Sequence, residues 1–392
     1  MSSCRATALA RDGAKPRVCI VTTVHPPLDA RVYSRQAVTL SSAGFDVTVV
    51  SVHERDEDRD GVRILALGSP RSRLARILFL GWKALSAAIR VNADAYHLHD
   101  PELLLTGLVL RMLGRRVIYD AHEDLRQQIL SKDWIPRLLR RPASWFAHGW
   151  LRIALRRMSG VVAATDGVAD ALDLPTRPTV VRNYPVLDLI PEASGRADTG
   201  VVRAIYLGRV SEERGAVEML EAVRALDGFP VELVIQGRAS ASTAKQLGEA
   251  SQSGSVSFVP WSPPREAYRS LATADIGLVC LHPLPRFLTA LPVKLLEYMA
   301  AGIPVIASDF PLWRDIVAGA DCGLLVDPLD PSAIADALRF LVEHPEERAR
   351  MGRNGRAAVE AKYNWPLEAP KLLALYDRVL RSDEQTEGLD HA

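Results

Sequence analysis

The stretch ALPVKLLEYMAAGIPVIASD, residues 290–309, decides how this chain folds. Its first part reads as a helix over 293–300, opened by Pro292 and ended by Ala301-Gly302. PVIAS (304–308) follows as a short β-branched run, the signature of a buried strand. A helix feeding directly into such a strand is one step of a parallel α/β sheet. The same stretch carries chemistry. The unpaired N–H groups at a helix start can receive a phosphate. Lys294 sits in that first turn, where a cation opposes the helix dipole, which suggests that an anion holds it there. Glu297, one turn further on, is suited to ribose hydroxyls, the role acidic residues play in dinucleotide sites.

Strand patterns recur on both sides of this segment. On the C-terminal side of a polar stretch, PEASGRADTG (191–200), they are VRAIYLG (202–208), VELVIQG (231–237), VSFVP (256–260), IGLVC (276–280), PVIAS and GLLVD (323–327). Before it come VCIVTTV (18–24), a helix over Tyr33–Ser42, DVTVVSV (46–52), AYHLH (95–99), a helix over Glu102–Leu113, RVIYD (116–120), VVAAT (161–165) and TVVRN (179–183). Strands alternating with helices on either side of a linker predict two Rossmann-like βαβ domains facing a central cleft. The expected division is a disordered tail over 1–16, an N-terminal domain over 17–190 and a C-terminal domain over 201–363. A closing helix over 364–381 is assigned to the N-terminal domain.

Composition excludes several classes. The chain has 392 residues, 48% of them hydrophobic, and 48 basic residues face 47 acidic ones, which gives no basis for nucleic-acid binding. Its four cysteines (Cys4, Cys19, Cys280, Cys322) form no CxxC pair and predict neither a disulfide framework nor a zinc site. No apolar stretch suits a signal peptide, and the longest apolar run, Leu74–Ile89, is interrupted by Arg76 and Lys83. The expected location is cytoplasmic, or peripheral on the inner face of the plasma membrane.

The pattern Pro-x-Lys-Leu-x-Glu-Tyr-Met-Ala-Ala-Gly-x-Pro-Val-Ile-Ala-Ser-Asp resembles the donor-site motif of the GT-B-fold, family 4 (group 1) retaining glycosyltransferases. YLGRVSEERGAVEMLEAV (206–223) is similar to that family's strand, Gly-Arg loop and helix, and the likeness covers nearly the whole chain. It implies an enzyme that moves a sugar from a nucleotide-sugar donor, UDP- or GDP-linked, to a saccharide or lipid-linked acceptor, with no cofactor and no metal. It makes Gly208, Lys294, Leu295 and Glu297 donor-binding residues. Arg209 would contact the diphosphate, and Arg214 stands where the family usually has lysine. The first glutamate of the family's Glu-x7-Glu pair would fall at Thr289, a departure that bears on which sugar is held. His122 fits the histidine placed near the transferred sugar. The family's glycine-rich first loop is replaced by HPPLDARVYSRQA (25–37), which offers Asp29, Arg31 and Arg35.

Plainer readings stand beside these. Arg209 alone would read as a surface ion-pair residue, Glu297 as an exposed helix residue and Lys294 as a solvated charge. His97 and His99 compete with His122. His99-Asp100 suits an acceptor, while Asp100-Pro101-Glu102 equally suits the start of a helix. Segment 132–157 mixes Lys132, Arg137, Arg140, Arg141, Arg152, Arg156 and Arg157 with Trp134, Trp145, Phe146 and Trp150. At 100° per residue Arg152 and Arg156 share a face with Trp145, Phe146, Trp150 and Ile153 lie beside it, and Leu151, Leu155 and Met158 point to a core. This suits an anionic membrane surface, with helix 74–90 (Arg76, Lys83, Arg90, Phe79) as a second contact. A nucleotide-sugar 2-epimerase and a non-catalytic sugar-nucleotide-binding or membrane-binding relative are the alternative functions.

Overall fold

A computed structural model describes residues 14–68, 80–130, 135–193, 200–251, 254–288 and 290–381. The chain divides into two compact units, one running to Arg182 and resuming at Pro366, the other spanning Asn183–Trp365. The boundary precedes the polar stretch expected to mark it. Tyr184 and Ile190 are the reason: both are buried in the core of the second unit, with Leu187 and Leu189 packed against it.

The first unit is built on an eight-stranded sheet of order β3-β4-β2-β1-β5-β6-β7-β8. Its strands are β1 (Arg17–Val21), β2 (Asp46–Ser51), β3 (Glu57–Arg59), β4 (Val62–Ala66), β5 (Ala95–Leu98), β6 (Arg116–Ala121), β7 (Gly160–Ala163) and β8 (Thr179–Val180). Every pairing is parallel except that of β3 with β4. This antiparallel hairpin was not anticipated, although Asp60-Gly61 announces it. Both residues adopt positive φ, 50° and 73°, as a tight hairpin turn requires. The first helix also begins earlier than Tyr33. Asp29 accepts hydrogen bonds from the N–H groups of Arg31 and Val32 and so caps a π-helical segment, Ala30–Ala37, that runs on into Val38–Ser42.

The second unit holds a six-stranded parallel sheet of order β11-β10-β9-β12-β13-β14. Its strands are β9 (Val202–Leu207), β10 (Val231–Gly237), β11 (Val256–Pro260), β12 (Ile276–Val279), β13 (Val305–Ser308) and β14 (Gly323–Val326). Renumbered from β9, the order is 3-2-1-4-5-6, the doubly wound arrangement. Successive residues of β9 serve opposite faces: Ala204 and Tyr206 enter one core, Ile205 and Leu207 the other. In such sheets ligands bind beyond the strand ends where the order reverses, between β9 and β12 here and between β1 and β5 in the first unit.

The closing helix, Trp365–Arg381, belongs to the first unit from Pro366 onward. Its Glu368, almost wholly buried, accepts the backbone N–H of Arg182 at 3.0 Å, and its Tyr376 meets His97 on β5.

Candidate active site

In the second unit the reversal point is shaped by glycine. Gly237 (φ +155°) ends β10, and a Cβ there would fall 1.6 Å from the carbonyl oxygen of Gly208. No larger residue permits this approach, through which Gly208 N–H donates to Gln236 O at 2.9 Å and Val210 N–H to Arg238 O at 2.8 Å. The Tyr206 hydroxyl donates to Arg209 O at 2.6 Å from below, fixing the Gly208-Arg209 turn. Gly215 (φ +76°) is constrained in the same way, since a Cβ would lie 2.0 Å from Cys280 O at the end of β12.

The helix Val293–Ala300 faces this turn. Leu207 N–H donates to the Tyr298 hydroxyl at 2.8 Å, and Trp313 Nε1 donates to Ala290 O at 2.9 Å, so the 290–309 segment is tied down at its start and along its helix. Lys294 is thereby carried over the Tyr206 ring, its Nζ 3.7 Å from the centroid. A Cβ on Gly208 would be 3.3 Å from that Nζ. The ammonium group is buried and makes no hydrogen bond among the described residues. Burial, and then the nearby charge of Arg214, hold its pKa well below the ordinary lysine value, against the opposing pull of Glu297. Lys294 is not a solvated charge.

Glu297 is not an exposed helix residue either. It is 9% exposed and accepts the Tyr268 hydroxyl at 2.6 Å. Leu295 is fully buried and supports the helix from beneath. Arg214 lies 5.3 Å from the Phe287 ring. Arg209 projects from the turn, exposed, and its side chain makes no hydrogen bond or ion pair among the described residues. Thr289 lies outside the described residues.

The first unit gathers a different set at its own reversal point. Asp120, on β6 and fully buried, accepts Arg31 Nε at 3.0 Å and Nη2 at 2.8 Å, and Gln36 Nε2 at 2.6 Å. Burial alone would raise the Asp120 pKa, but Arg31 and the surrounding imidazoles hold it well below the usual carboxylate range. His97 Nε2 and His99 Nδ1 stand 3.8 and 3.7 Å from Asp120 Oδ2. His97 Nδ1 meets the Tyr376 hydroxyl at 2.9 Å, and His99 Nδ1 meets His122 Nε2 at 3.0 Å. His25 stacks on His122 with centroids 4.9 Å apart. Burial pushes His97 and His122 down to about 4 and His99 well below its ordinary value. For His25 burial acts the same way, but Asp29 and Asp100 outweigh it and raise its pKa.

These contacts show what the N-terminal candidates do within the fold. Arg31 is spent on Asp120 and on Val181 O at 2.9 Å, Asp29 on its helix cap and on His25 at 3.5 Å, and His99 is buried. Asp100 does not cap the helix that follows it. Its Oδ2 accepts Thr22 Oγ1 at 2.8 Å and Thr23 N–H at 2.6 Å, which binds the loop after β1 to the end of β5. His97, His99 and Asp120 have the side-chain chemistry of a metal triad. The guanidinium on both Asp120 oxygens is already the cation of this cluster, and a second would be repelled. Asp120, Tyr206 and Tyr268 were overlooked in the sequence, although an aspartate within the buried run RVIYD is itself a signal.

Two doubly wound sheets, the second with Lys294, Arg209, Arg214 and a carboxylate at its reversal point, place the protein in the GT-B fold class. Sequence models of two families match, "Glycosyltransferase Family 4" over residues 29–183 and "Glycosyl transferases group 1" over residues 192–358. The chain belongs to the group 1, family 4 glycosyltransferases and is a sugar-transferring enzyme. It is 25% identical to the phosphatidyl-myo-inositol mannosyltransferase of Mycobacterium leprae, across 75% of this chain and 76% of that one. Among solved structures it is similar to sucrose-phosphate synthase from Thermosynechococcus elongatus (TM-score 0.75, 18% identity, 94% of this chain and 100% of that one). It is also similar to Anabaena HepE in complex with UDP-glucose (TM-score 0.66, 15% identity, 92% and 99%). The transferase families displace the epimerase and the non-catalytic alternatives.

Proposed function

We propose that this glycosyltransferase moves a sugar from a UDP- or GDP-sugar to a hydroxyl acceptor with retention of anomeric configuration and without a metal ion. The observation that carries the donor reading is Lys294: a buried ammonium with no hydrogen bond among the described residues, beside a glycine turn and at a helix start. Such a group is costly until an anion arrives. A diphosphate would accept from Lys294, Arg209, Arg214 and the first N–H groups of the helix Val293–Ala300. These donors would then stabilise the charge that grows on the leaving group as the glycosidic bond breaks. Glu297, oriented by Tyr268, would take the ribose hydroxyls, and His122 would meet the transferred sugar.

A thermal-shift series with UDP-, GDP- and ADP-sugars tests the donor. The expected result is stabilisation by a UDP- or GDP-sugar that is lost in Lys294→Met. An equal shift in that variant would overturn the assignment. Retention is read from the anomeric configuration of the product by NMR, and metal independence from turnover that persists in EDTA.

The acceptor reading is a lipid-linked saccharide, met at an anionic membrane surface on the cytoplasmic side. The helix Arg137–Leu155 supports it. Leu138, Leu139, Trp145, Phe146 and Ile153 are exposed among the exposed Arg137, Arg141, Arg156 and Arg157, while Leu151 and Leu155 are buried as the periodicity predicts. Arg152 is withdrawn from that surface, paired with Asp173 at 2.8 Å. Lys132, Trp134, Arg76 and Phe79 lie outside the described residues, and no helix among those described is long and apolar enough to cross a membrane. Cosedimentation with anionic vesicles, but not neutral ones, should fall several-fold when Trp145 and Phe146 are both changed to Ala. Binding unaffected by that change would remove the membrane from the proposal.

A further inference from the structure

We infer that His99 is the positioning residue that holds His122 in its Nδ1–H tautomer, so that His122 meets the sugar as a hydrogen-bond donor. The inference rests on the reading that His122 contacts the transferred sugar, and deepens it. In the pair His99 Nδ1···His122 Nε2, 3.0 Å apart, one nitrogen must carry the proton and the other the lone pair.

Two features place the proton on His99. Asp120 Oδ2, 3.7 Å from His99 Nδ1, favours a proton on that nitrogen. The other His99 nitrogen, Nε2, is buried and has no hydrogen-bond partner among the described residues. If His99 were protonated there, a buried N–H would be left without an acceptor, which folded proteins avoid more strictly than a bare lone pair. His97 stands beside the same carboxylate, its Nε2 3.8 Å from Asp120 Oδ2 and its Nδ1 2.9 Å from the Tyr376 hydroxyl.

With His99 donating, His122 Nε2 accepts, and the His122 proton resides on Nδ1. That nitrogen makes no hydrogen bond among the described residues. It is left free to donate to a sugar oxygen, and the ring's proton-accepting nitrogen is occupied by His99. His122 therefore orients a sugar hydroxyl and does not act as the general base of the transfer.

Long-range proton–nitrogen NMR on the full chain labelled with 15N-histidine tests this directly. His122 is assigned by its loss in His122→Ala. The expected spectrum shows a protonated Nδ1 and a bare Nε2 for His122 at neutral pH; a protonated Nε2 would overturn the inference whatever the activity. Two variants read the consequence. His99→Leu should lower kcat about tenfold or more, the weight of one hydrogen bond of about 1.4 kcal/mol, with donor KM little changed. His99→Asn, whose amide can stand where Nδ1 stood, should recover most of that loss and keep the His122 tautomer. Equal losses in both variants, with an unchanged tautomer, would also overturn it. If His99→Leu does not fold, the wild-type spectrum still decides. Full activity in His122→Ala with the expected tautomer in the wild type would instead remove the sugar-contact reading and leave the tautomer standing.

Discussion

The two units handle buried charge in opposite ways. At the reversal point of the first, Asp120 is surrounded by Arg31, Gln36 and two imidazoles, and the chain itself supplies every partner. At the corresponding point of the second, among the described residues, the Lys294 ammonium is buried with no hydrogen bond and Arg209 projects without a partner. The carboxylate of the first cluster is satisfied within the fold and holds other groups in place. On the donor reading proposed above, the second is completed by an anion, and the folded protein stores that deficit as affinity.

The contrast is broken most severely at Asp120. Asp120→Ala strands Arg31 in the core and should cost about 3–5 kcal/mol of unfolding free energy, read from the shift in urea midpoint. Arg209→Ala should do the reverse: the midpoint moves by no more than about 0.5 kcal/mol, because the side chain is exposed, while turnover falls about 100-fold or more. A variant that unfolds like Asp120→Ala would show Arg209 to be structural.

Lys294→Met sharpens the comparison further. Without ligand it should leave the stability of the second unit unchanged or raise it, since the folded pKa of this lysine lies below its unfolded value and its charge opposes folding at neutral pH. With donor at about 100 times Kd, it should forfeit the roughly 2.7 kcal/mol that ligand supplies to the wild type. Destabilisation of the ligand-free protein would contradict this account of the charge.

The gentlest test is acid. His97 and His122, held to about 4 in the fold, bind protons more readily when unfolded, so their contribution is intact above about pH 6.5 and declines as pH falls toward 4. Each histidine can contribute at most about 1.4 kcal/mol per pH unit. His25 works in the other direction, its contribution present at low pH and lost as pH rises through its raised pKa. Urea midpoints measured from pH 7 to pH 4 should therefore fall in the wild type. In His97→Gln they should fall less steeply; an identical slope would place the proton uptake elsewhere.

Much of this was legible because it is periodic or local. Buried parallel strands are nearly continuous apolar runs, and the segment 290–309 carries its helix, its turn and its strand in consecutive residues. What escaped notice depends on partners far apart in the chain. Asp120 and Arg31 are 89 positions apart, and His97 and Tyr376 are 279, so no window of sequence contains both members of either pair. Arg31 and Asp29 therefore read as free charges for an acceptor when they are consumed within the fold. Lys294 was the opposite case. Its conflict with the helix dipole is written within three residues, and the conflict remains in the folded protein.

The position of Tyr376 also bears on the order in which this protein comes into being. The hydroxyl that meets His97 lies on a helix made after the whole of the second unit, from the 183rd residue to the 365th, has been synthesised. A chain emerging from the ribosome can assemble the first sheet early and fold the second unit next. Until the final helix arrives, however, the imidazole cluster lacks its outermost tether and Glu368 has yet to meet Arg182. The first unit is begun first and finished last, so the part of the enzyme assigned to the sugar is sealed only once the part assigned to the nucleotide already exists.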